Sequence, residues 1–184
     1  MKIKFNNIQD LSDARYAAAA MAEWIGFTVD TLPIAKVQEI IGWCAGPKLI
    51  LEINSNIDFE TIKSWITILP VDGIECPENM IDTIKSAFPE SSQWDWIIQC
   101  SEPTNMAKEN PSTTTFMHHI ATPNVSVTDN QDHVIINISD LLTNPETVIE
   151  KGWENISINC QKEEVVGMKN FDNLTLLFEK LDIF

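Results

Sequence analysis

The sequence contains almost no arginine. Arg15 is the single arginine among 184 residues, and 27 acidic side chains outnumber 12 basic ones, so the formal net charge is −15. Binding to nucleic acid depends on neutralising phosphate groups with lysine and arginine. The composition therefore predicts that nucleic acid is not a partner of this chain.

Long apolar runs are also missing. No window approaches the 18 or more apolar residues of a membrane span, and the opening MKIKFNNIQD has no apolar stretch of signal-peptide length. We therefore expect a cytoplasmic protein with no membrane partner. The four cysteines show no C-x-x-C spacing, which predicts reduced thiols and no metal site, and no motif predicts a cofactor.

A regular alternation of short apolar runs with longer segments of helical period is present instead, and it is typical of a parallel sheet built from βα units. Eight runs predict strands, namely Lys2–Asn6, Trp24–Val29, Lys48–Asn54, Gly73–Cys76, Trp94–Cys100, Thr115–Ile120, His133–Ile138 and Asn155–Cys160. Eight such units predict an α/β fold, a (β/α)8 TIM barrel. Since 184 residues are too few for two separate cores, we expect residues 1–184 to form a single domain.

Helices are predicted between most of the strands, and the first of them is expected to take Ser12 as its N-cap. The predicted helices are Ser12–Glu23, Pro33–Trp43, Asp58–Leu69, Asn79–Phe88, Pro145–Lys151 and Phe171–Leu181. After the fifth strand the segment Pro103–Asn110 allows only a short helix, and after the sixth Thr122–Asp132 has the composition of a loop. The pattern thus predicts a compact barrel with reduced helices after strands 5 and 6.

Two stretches at opposite ends of the chain resemble phosphoribosylanthranilate isomerase. Lys2–Phe27, KIKFNNIQDLSDARYAAAAMAEWIGF, is similar to that family's opening strand, its Asp-Ala-Arg helix and its following Gly-Phe strand. Ile156–Leu181, ISINCQKEEVVGMKNFDNLTLLFEKL, is similar to the last strand, the Gly-Val-Lys-Asp turn and the closing helix. PETV at Pro145–Val148 resembles the start of the seventh helix. The resemblance implies a barrel related to an isomerase of tryptophan biosynthesis.

The resemblance also implies where catalytic groups would lie. The family's base is the cysteine of a Cys-Gly pair that aligns with Asn6 and Asn7, and an asparagine amide cannot accept a proton as a thiolate does. The family's acid is an aspartate that ends the sixth strand, where this chain reads FMHHIA. His118 or His119 occupies that place, and we take Asn6 and His119 as the positions that match base and acid. A solvated or hydrogen-bonded structural histidine is nevertheless the favoured reading, and acid–base chemistry is the alternative.

The anion-binding elements that the resemblance implies are altered as well. The family's glycine-rich phosphate loops follow strands seven and eight, where this chain reads NISDLL and NCQ, and Asp140 adds a carboxylate. The family's substrate-carboxylate arginine aligns near Leu32–Ile34, which leaves Lys36 as the nearest cation.

Strand alternation predicts a polar interior, because the apolar residues of each strand are expected to face the helices. The residues predicted to point inward are Lys4, Asn6, Glu52, Asn54, Gln99, Asn137, Ser139, Ser157, Asn159 and Gln161. Such an amide-rich set can form a network with water or bind a neutral polar ligand. The predicted ligand-binding residues are Glu52, Asn54, Gln99, Asn137, Ser139, Asn159 and Gln161.

Two further sets of side chains have two readings each. Lys4 and Glu52 are expected to form an internal ion pair, and an acid–base couple is the alternative. The six tryptophans, Trp24, Trp43, Trp65, Trp94, Trp96 and Trp153, are expected to pack between barrel and helices rather than to form a stacking site.

The sequence therefore favours a divergent isomerase-like barrel whose catalysis is absent or altered. A working isomerase, with His119 as acid and Asn6 orienting the substrate, is one alternative. A non-catalytic binding protein is another. We expect a small polar molecule at the barrel mouth and a monomer or homodimer.

We predict that the mouth binds phosphate weakly or not at all. Asn159–Gln161 carry side chains where glycine would let main-chain N–H groups approach an anion, and Asp140 and the net charge repel it. Calorimetric titration with a ribose phosphate at low ionic strength checks this, because salt then does not screen a weak electrostatic contribution. Submillimolar binding that disappears in Gln161→Glu contradicts the prediction.

Overall fold

Eight parallel strands form a closed barrel in the computed structural model, which describes residues 1–100, 115–119, 131–142, 145–161 and 170–183. The strands are β1 (Lys2–Asn6), β2 (Trp24–Thr28), β3 (Lys48–Glu52), β4 (Gly73–Pro77), β5 (Asp95–Cys100), β6 (Thr115–His119), β7 (Val134–Asn137) and β8 (Asn155–Asn159). Each lies within two residues, at either end, of the strand predicted from sequence. The predicted TIM barrel is confirmed, whereas the single-domain assignment of the chain stays a prediction.

The barrel closes between its first and last strands. β1 pairs with β8 in parallel along its whole length, from Lys2 opposite Asn155 to Asn6 opposite Asn159. This pairing removes both sheet edges, so every strand has two neighbours. It also brings the two stretches that carry the isomerase resemblance side by side.

Six α-helices surround the barrel in the described part of the chain. They are α1 (Leu11–Ala19), α2 (Ile34–Gly42), α3 (Phe59–Ile68), α4 (Ile81–Ala87), α5 (Pro145–Lys151) and α6 (Asp172–Lys180). The segments after β5 and β6, where reduced helices were predicted, lie outside the described residues except for a 3-10 turn at Gln131–His133. No helix among the described residues is long and apolar enough to cross a membrane.

The prediction that Ser12 caps the first helix was wrong. Asp10 is the N-cap, with extended backbone and a side-chain oxygen that accepts from the Asp13 N–H at 2.9 Å. An aspartate three residues before a free N–H has the reach for this bond, and Ser12 already lies inside the helix. Asp58, predicted as the first residue of the third helix, is its N-cap and accepts from the Thr61 N–H.

The apolar core has two parts. A large shell lies between barrel and helices and includes Trp65, Trp94, Trp96 and Trp153, as predicted. A smaller cluster fills the inside of the barrel and consists of Trp24, Ile50, Ile97, Phe116 and Ile135. The prediction for the two remaining tryptophans was wrong. Trp24 lies inside the barrel, where its indole N–H donates to Asp95 at 2.8 Å, and Trp43 is 68% exposed at the end of α2.

Gly26 in β2 is required by close packing inside the barrel. A Cβ at this position would lie 1.8 Å from Glu52 Oε1 and 3.0 Å from Lys4 Nζ. Both side chains are almost fully buried and ion-paired, so they have little room to move aside. A glycine is therefore needed where the charged groups fill the barrel.

We predict that Gly26→Ala destabilises the fold by about 1–3 kcal/mol, as overpacking of a filled interior does. The matched control is Gly42→Ala at the end of α2, where a Cβ would meet no atom within 4 Å. Urea unfolding of both variants checks the prediction. Equal free energies of unfolding for the two variants would mean that the interior charges can rearrange.

Candidate functional site

A buried ammonium occupies the inside of the barrel. Lys4 is fully buried on β1, and its Nζ lies 2.5 Å from Glu52 Oε1 on β3 and 2.7 Å from Glu75 Oε2 on β4. The three strands each bring one inward-facing charge to the same level. The predicted Lys4–Glu52 ion pair is present, and a second carboxylate joins it.

A histidine extends this charge cluster across the barrel. His118 on β6 is 1% exposed, with Nδ1 2.7 Å from Glu75 Oε1 and Nε2 2.7 Å from Ser157 Oγ on β8. The order Ser157, His118, Glu75 is that of a serine hydrolase triad. Ser157 has no exposed surface, however, so a substrate cannot reach its hydroxyl. The contacts form a buried hydrogen-bond chain that links β4, β6 and β8.

The charges in the cluster fix one another's protonation. Burial by itself lowers the pKa of the Lys4 ammonium, but the Glu52 and Glu75 carboxylates outweigh it and hold that pKa above its ordinary value. Burial by itself raises the pKa of Glu75, but attraction to His118 and Lys4 outweighs this, so the pKa lies below its usual range. Lys4 therefore stays protonated and Glu75 ionised at neutral pH.

Glu52 is held by three donors. Besides Lys4 at Oε1, its Oε2 accepts from the Thr28 hydroxyl at 2.8 Å and from the Asn7 N–H at 2.9 Å. Asn7 has a φ of 53°, a left-handed backbone that asparagine tolerates better than most residues. Gly26 adds no side chain on this face. Both oxygens of Glu52 are thus engaged by groups of the chain itself.

A layer of amides lies above the charges, toward the carboxyl ends of the strands. Asn6 Oδ1 accepts from Lys4 at 2.5 Å, and Asn6 Nδ2 donates to Asn159 Oδ1 at 2.8 Å. Asn137 Nδ2 also donates to Asn159 Oδ1, at 3.1 Å. Asn137 Oδ1 accepts from the N–H and hydroxyl of Ser139. The predicted inward amides of β1, β7 and β8 therefore form one connected network.

The other predicted site residues are placed differently. Gln99 contributes a long contact, from Nε2 to Glu75 Oε1 at 3.4 Å. Asn54 and Gln161 are exposed beyond the ends of β3 and β8, outside this network. His119 ends β6, and its side chain lies outside what the structure describes, so its role as the acid stays a prediction.

Sequence reasoning missed the central carboxylate, Glu75. The signal was present in the segment VDGIECP, because turning Ile74 and Cys76 toward the helices places Gly73 and Glu75 inside. Thr28 was missed as well, because threonine is an ordinary residue in a strand and nothing in the sequence marks its hydroxyl as part of a site. No local pattern indicated that His118 would join Glu75, because the pairing spans 43 residues.

The buried Cys76 thiol does not supply a base at the site. Cys76 and Cys160 are buried. Burial, reinforced by the neighbouring Glu75 carboxylate, raises the pKa of the Cys76 thiol to about 12. Among the described residues there is also no group of three or more metal-binding side chains.

A cavity of about 780 Å³ opens at the other end of the barrel, beside the amino ends of β1, β6 and β8. Its lining includes Lys2, Phe116, His133, Trp153 and Glu154. Lys2 Nζ lies 4.5 Å from the centre of the Phe116 ring, a cation–π contact that stabilises this end. In TIM barrels function gathers at the carboxyl ends of the strands. The amide layer, not this cavity, is therefore the candidate site.

Comparisons with known proteins place the fold. No family model matches the chain, and no curated protein matches it significantly. Among solved structures, phosphoribosyl anthranilate isomerase from Thermus thermophilus superposes with a TM-score of 0.67 at 15% identity, covering 99% of this chain and 98% of that one. A phosphoribosyl anthranilate isomerase in complex with reduced 1-(o-carboxyphenylamino)-1-deoxyribulose 5-phosphate gives 0.67 at 13% identity, with full coverage of both chains.

A truncated 3-deoxy-D-arabino-heptulosonate 7-phosphate synthase from Thermotoga maritima is also similar, with a TM-score of 0.61 at 10% identity over 99% of this chain and 85% of that one. The predicted resemblance to phosphoribosylanthranilate isomerase is thus confirmed in the fold. Similarity at these identities extends to barrels with a different activity, so the fold alone does not assign the chemistry.

We predict that Lys4→Met costs about 3–5 kcal/mol of unfolding free energy at neutral pH, because it leaves two buried carboxylates without their shared cation. This loss of unfolding free energy should become smaller as the pH falls toward 5. In the variant, protonation of the buried carboxylates in acid relieves their mutual repulsion. In the unsubstituted chain acid instead removes stability, since the folded-state pKa of Glu75 is depressed.

Urea unfolding at two pH values checks this, and Lys36→Met is the matched control. Lys36 pairs with Glu39 on the surface of α2, with 43% of its side chain exposed, and its loss should cost about 1 kcal/mol or less. A Lys4→Met cost that equals the control, or one that grows in acid, contradicts the account of the charge cluster.

Proposed function

We propose that this chain is a divergent relative of the phosphoribosylanthranilate isomerases that lacks the isomerase reaction and binds a small, neutral polar molecule at the barrel mouth. The proposal rests on similarity in sequence at both ends of the chain, on the shared barrel, and on the chemistry of the amide layer. We further propose a cytoplasmic protein, monomeric or homodimeric, that binds neither nucleic acid nor cofactor.

The observation that carries the proposal is the state of Asn6. This residue occupies the position that the resemblance assigns to the catalytic base. Its Oδ1 accepts from Lys4 and its Nδ2 donates to Asn159, so both polar atoms are engaged by neighbours. An amide held in this way neither takes up a proton nor moves toward a substrate.

The two surface cations that were considered for an anionic substrate lie outside the amide layer in the described part of the chain. Arg15 is exposed on α1, and Lys36 pairs with Glu39 on α2. The buried Lys4 is enclosed by two carboxylates. Asp140 is exposed in the 3-10 turn that follows β7, where the resemblance expects a phosphate loop. These charges favour an uncharged ligand over a sugar phosphate.

We predict that the gene does not complement a strain that lacks phosphoribosylanthranilate isomerase. Loss of one positioned base commonly lowers a rate by about 10²–10⁴, and here the base and the anion-binding groups are both replaced. Growth on medium without tryptophan is the measurement, with expression of the folded chain verified in the same cells.

Rescue of growth that His119→Ala abolishes would favour a working isomerase with an unorthodox acid. The control is His133→Ala, which removes the histidine that contacts the Thr115 carbonyl at the opposite end of the barrel. Rescue lost in both variants would indicate damage to folding instead of a catalytic role for His119.

A further inference from the structure

The amide layer has a defined direction, which starts at the buried ammonium. Lys4 Nζ has only hydrogens to donate, so the Asn6 oxygen must face it at 2.5 Å. The Asn6 Nδ2 group then has to point away, toward Asn159, whose Oδ1 accepts from it at 2.8 Å. The charge of Lys4 thereby fixes the orientation of two successive amides.

A second amide fixes Asn159 in the same sense. Asn137 Oδ1 accepts from the Ser139 N–H at 3.0 Å and from its hydroxyl at 2.7 Å, so Asn137 must turn its Nδ2 toward Asn159 Oδ1. The Ser139 hydroxyl in turn accepts from the Asn159 main-chain N–H. With two donors on its oxygen, Asn159 cannot reverse its amide without placing donor against donor.

The consequence is a donor directed at the mouth. Asn159 is exposed, and no described residue accepts a hydrogen bond from its Nδ2. The carboxylates of Glu52 and Glu75 do not compete as acceptors at the mouth, because both side chains are buried below the amide layer. Gln99 turns Nε2 toward Glu75, which leaves its own carbonyl oxygen on the other side.

We infer that the mouth recognises an uncharged ligand through a carbonyl oxygen placed on Asn159 Nδ2, as in a carboxamide. This inference rests on the proposed function and names the ligand class for that site. A carboxylate could accept the same bond, but the exposed Asp140 carboxylate directly follows Ser139, and the net charge of the chain is −15. Negative charge therefore disfavours a carboxylate relative to the carboxamide of the same shape.

The experiment is a titration of the ¹⁵N-labelled full chain with acetamide, acetate, ethylammonium and inorganic phosphate, followed through the side-chain amide resonances of Asn159. Acetamide should shift these resonances, and at equal concentration the other three should shift them far less. Asn159→Asp replaces the donor by an acceptor, and Asn159→Ala removes it without adding charge. Each of the two substitutions should weaken acetamide binding about tenfold, the value of one lost hydrogen bond. In these variants, binding is followed through the side-chain amide resonances of Asn6 and Asn137.

Gln38→Glu, an amide-to-acid change on the exposed face of α2, is the matched control and should bind acetamide as the unsubstituted chain does. Acetamide binding at the mouth that persists in both Asn159 variants, or acetate binding equal to that of acetamide, overturns the inference and leaves the proposed site standing. No response of the Asn6, Asn137 or Asn159 resonances to any probe overturns the proposed mouth site together with the inference.

Discussion

The burial of one lysine ammonium inside the barrel is the constraint on which the rest of this molecule depends. An unpaired charge in such a place would cost several kcal/mol, so Lys4 requires both Glu52 and Glu75 within hydrogen-bond distance. The carboxylates in turn require their other oxygens to be satisfied, which Thr28, Asn7 and His118 do. Glycine is then the only residue type at position 26 that leaves room for the Lys4 and Glu52 side chains.

The same ammonium determines what the mouth can do. Where the isomerase resemblance expects a base, the chain has an amide whose oxygen is held by Lys4, and the neighbouring amides align accordingly. Among the described residues, the charge cluster therefore lies below a layer of neutral amide side chains. Its similarity to solved phosphoribosyl anthranilate isomerases lies in the path of the chain, and the proposed difference in function lies in the side chains at the strand ends.

The strands could be predicted from sequence because each is a short apolar run that is separated from the next by a segment of helical period or a loop, and a barrel of eight such strands closes between β1 and β8. The Lys4–Glu52 pair followed from the alternation of inward and outward side chains along β1 and β3. Glu75 was missed although the positions of Ile74 and Cys76 place it inside, and Thr28 was missed because threonine is an ordinary strand residue. Trp24 was assigned to the wrong side because tryptophan usually packs outside a barrel of this size, whereas here Asp95 accepts its N–H inside. The contacts of His118 with Glu75 on β4 and Ser157 on β8 could not be predicted from sequence, because they depend on how the closed barrel brings β4, β6 and β8 together.

The most direct test of this account is the titration of the Lys4 ammonium itself, by heteronuclear NMR of its Nζ and Cε in the folded chain. The account predicts a pKa above the ordinary value of about 10.4, with the charged form, and the stability that it contributes, lost only as the solution becomes strongly alkaline. A pKa below that value would mean that burial outweighs the two carboxylates. It would contradict the claim that a permanently charged lysine organises the barrel and its mouth.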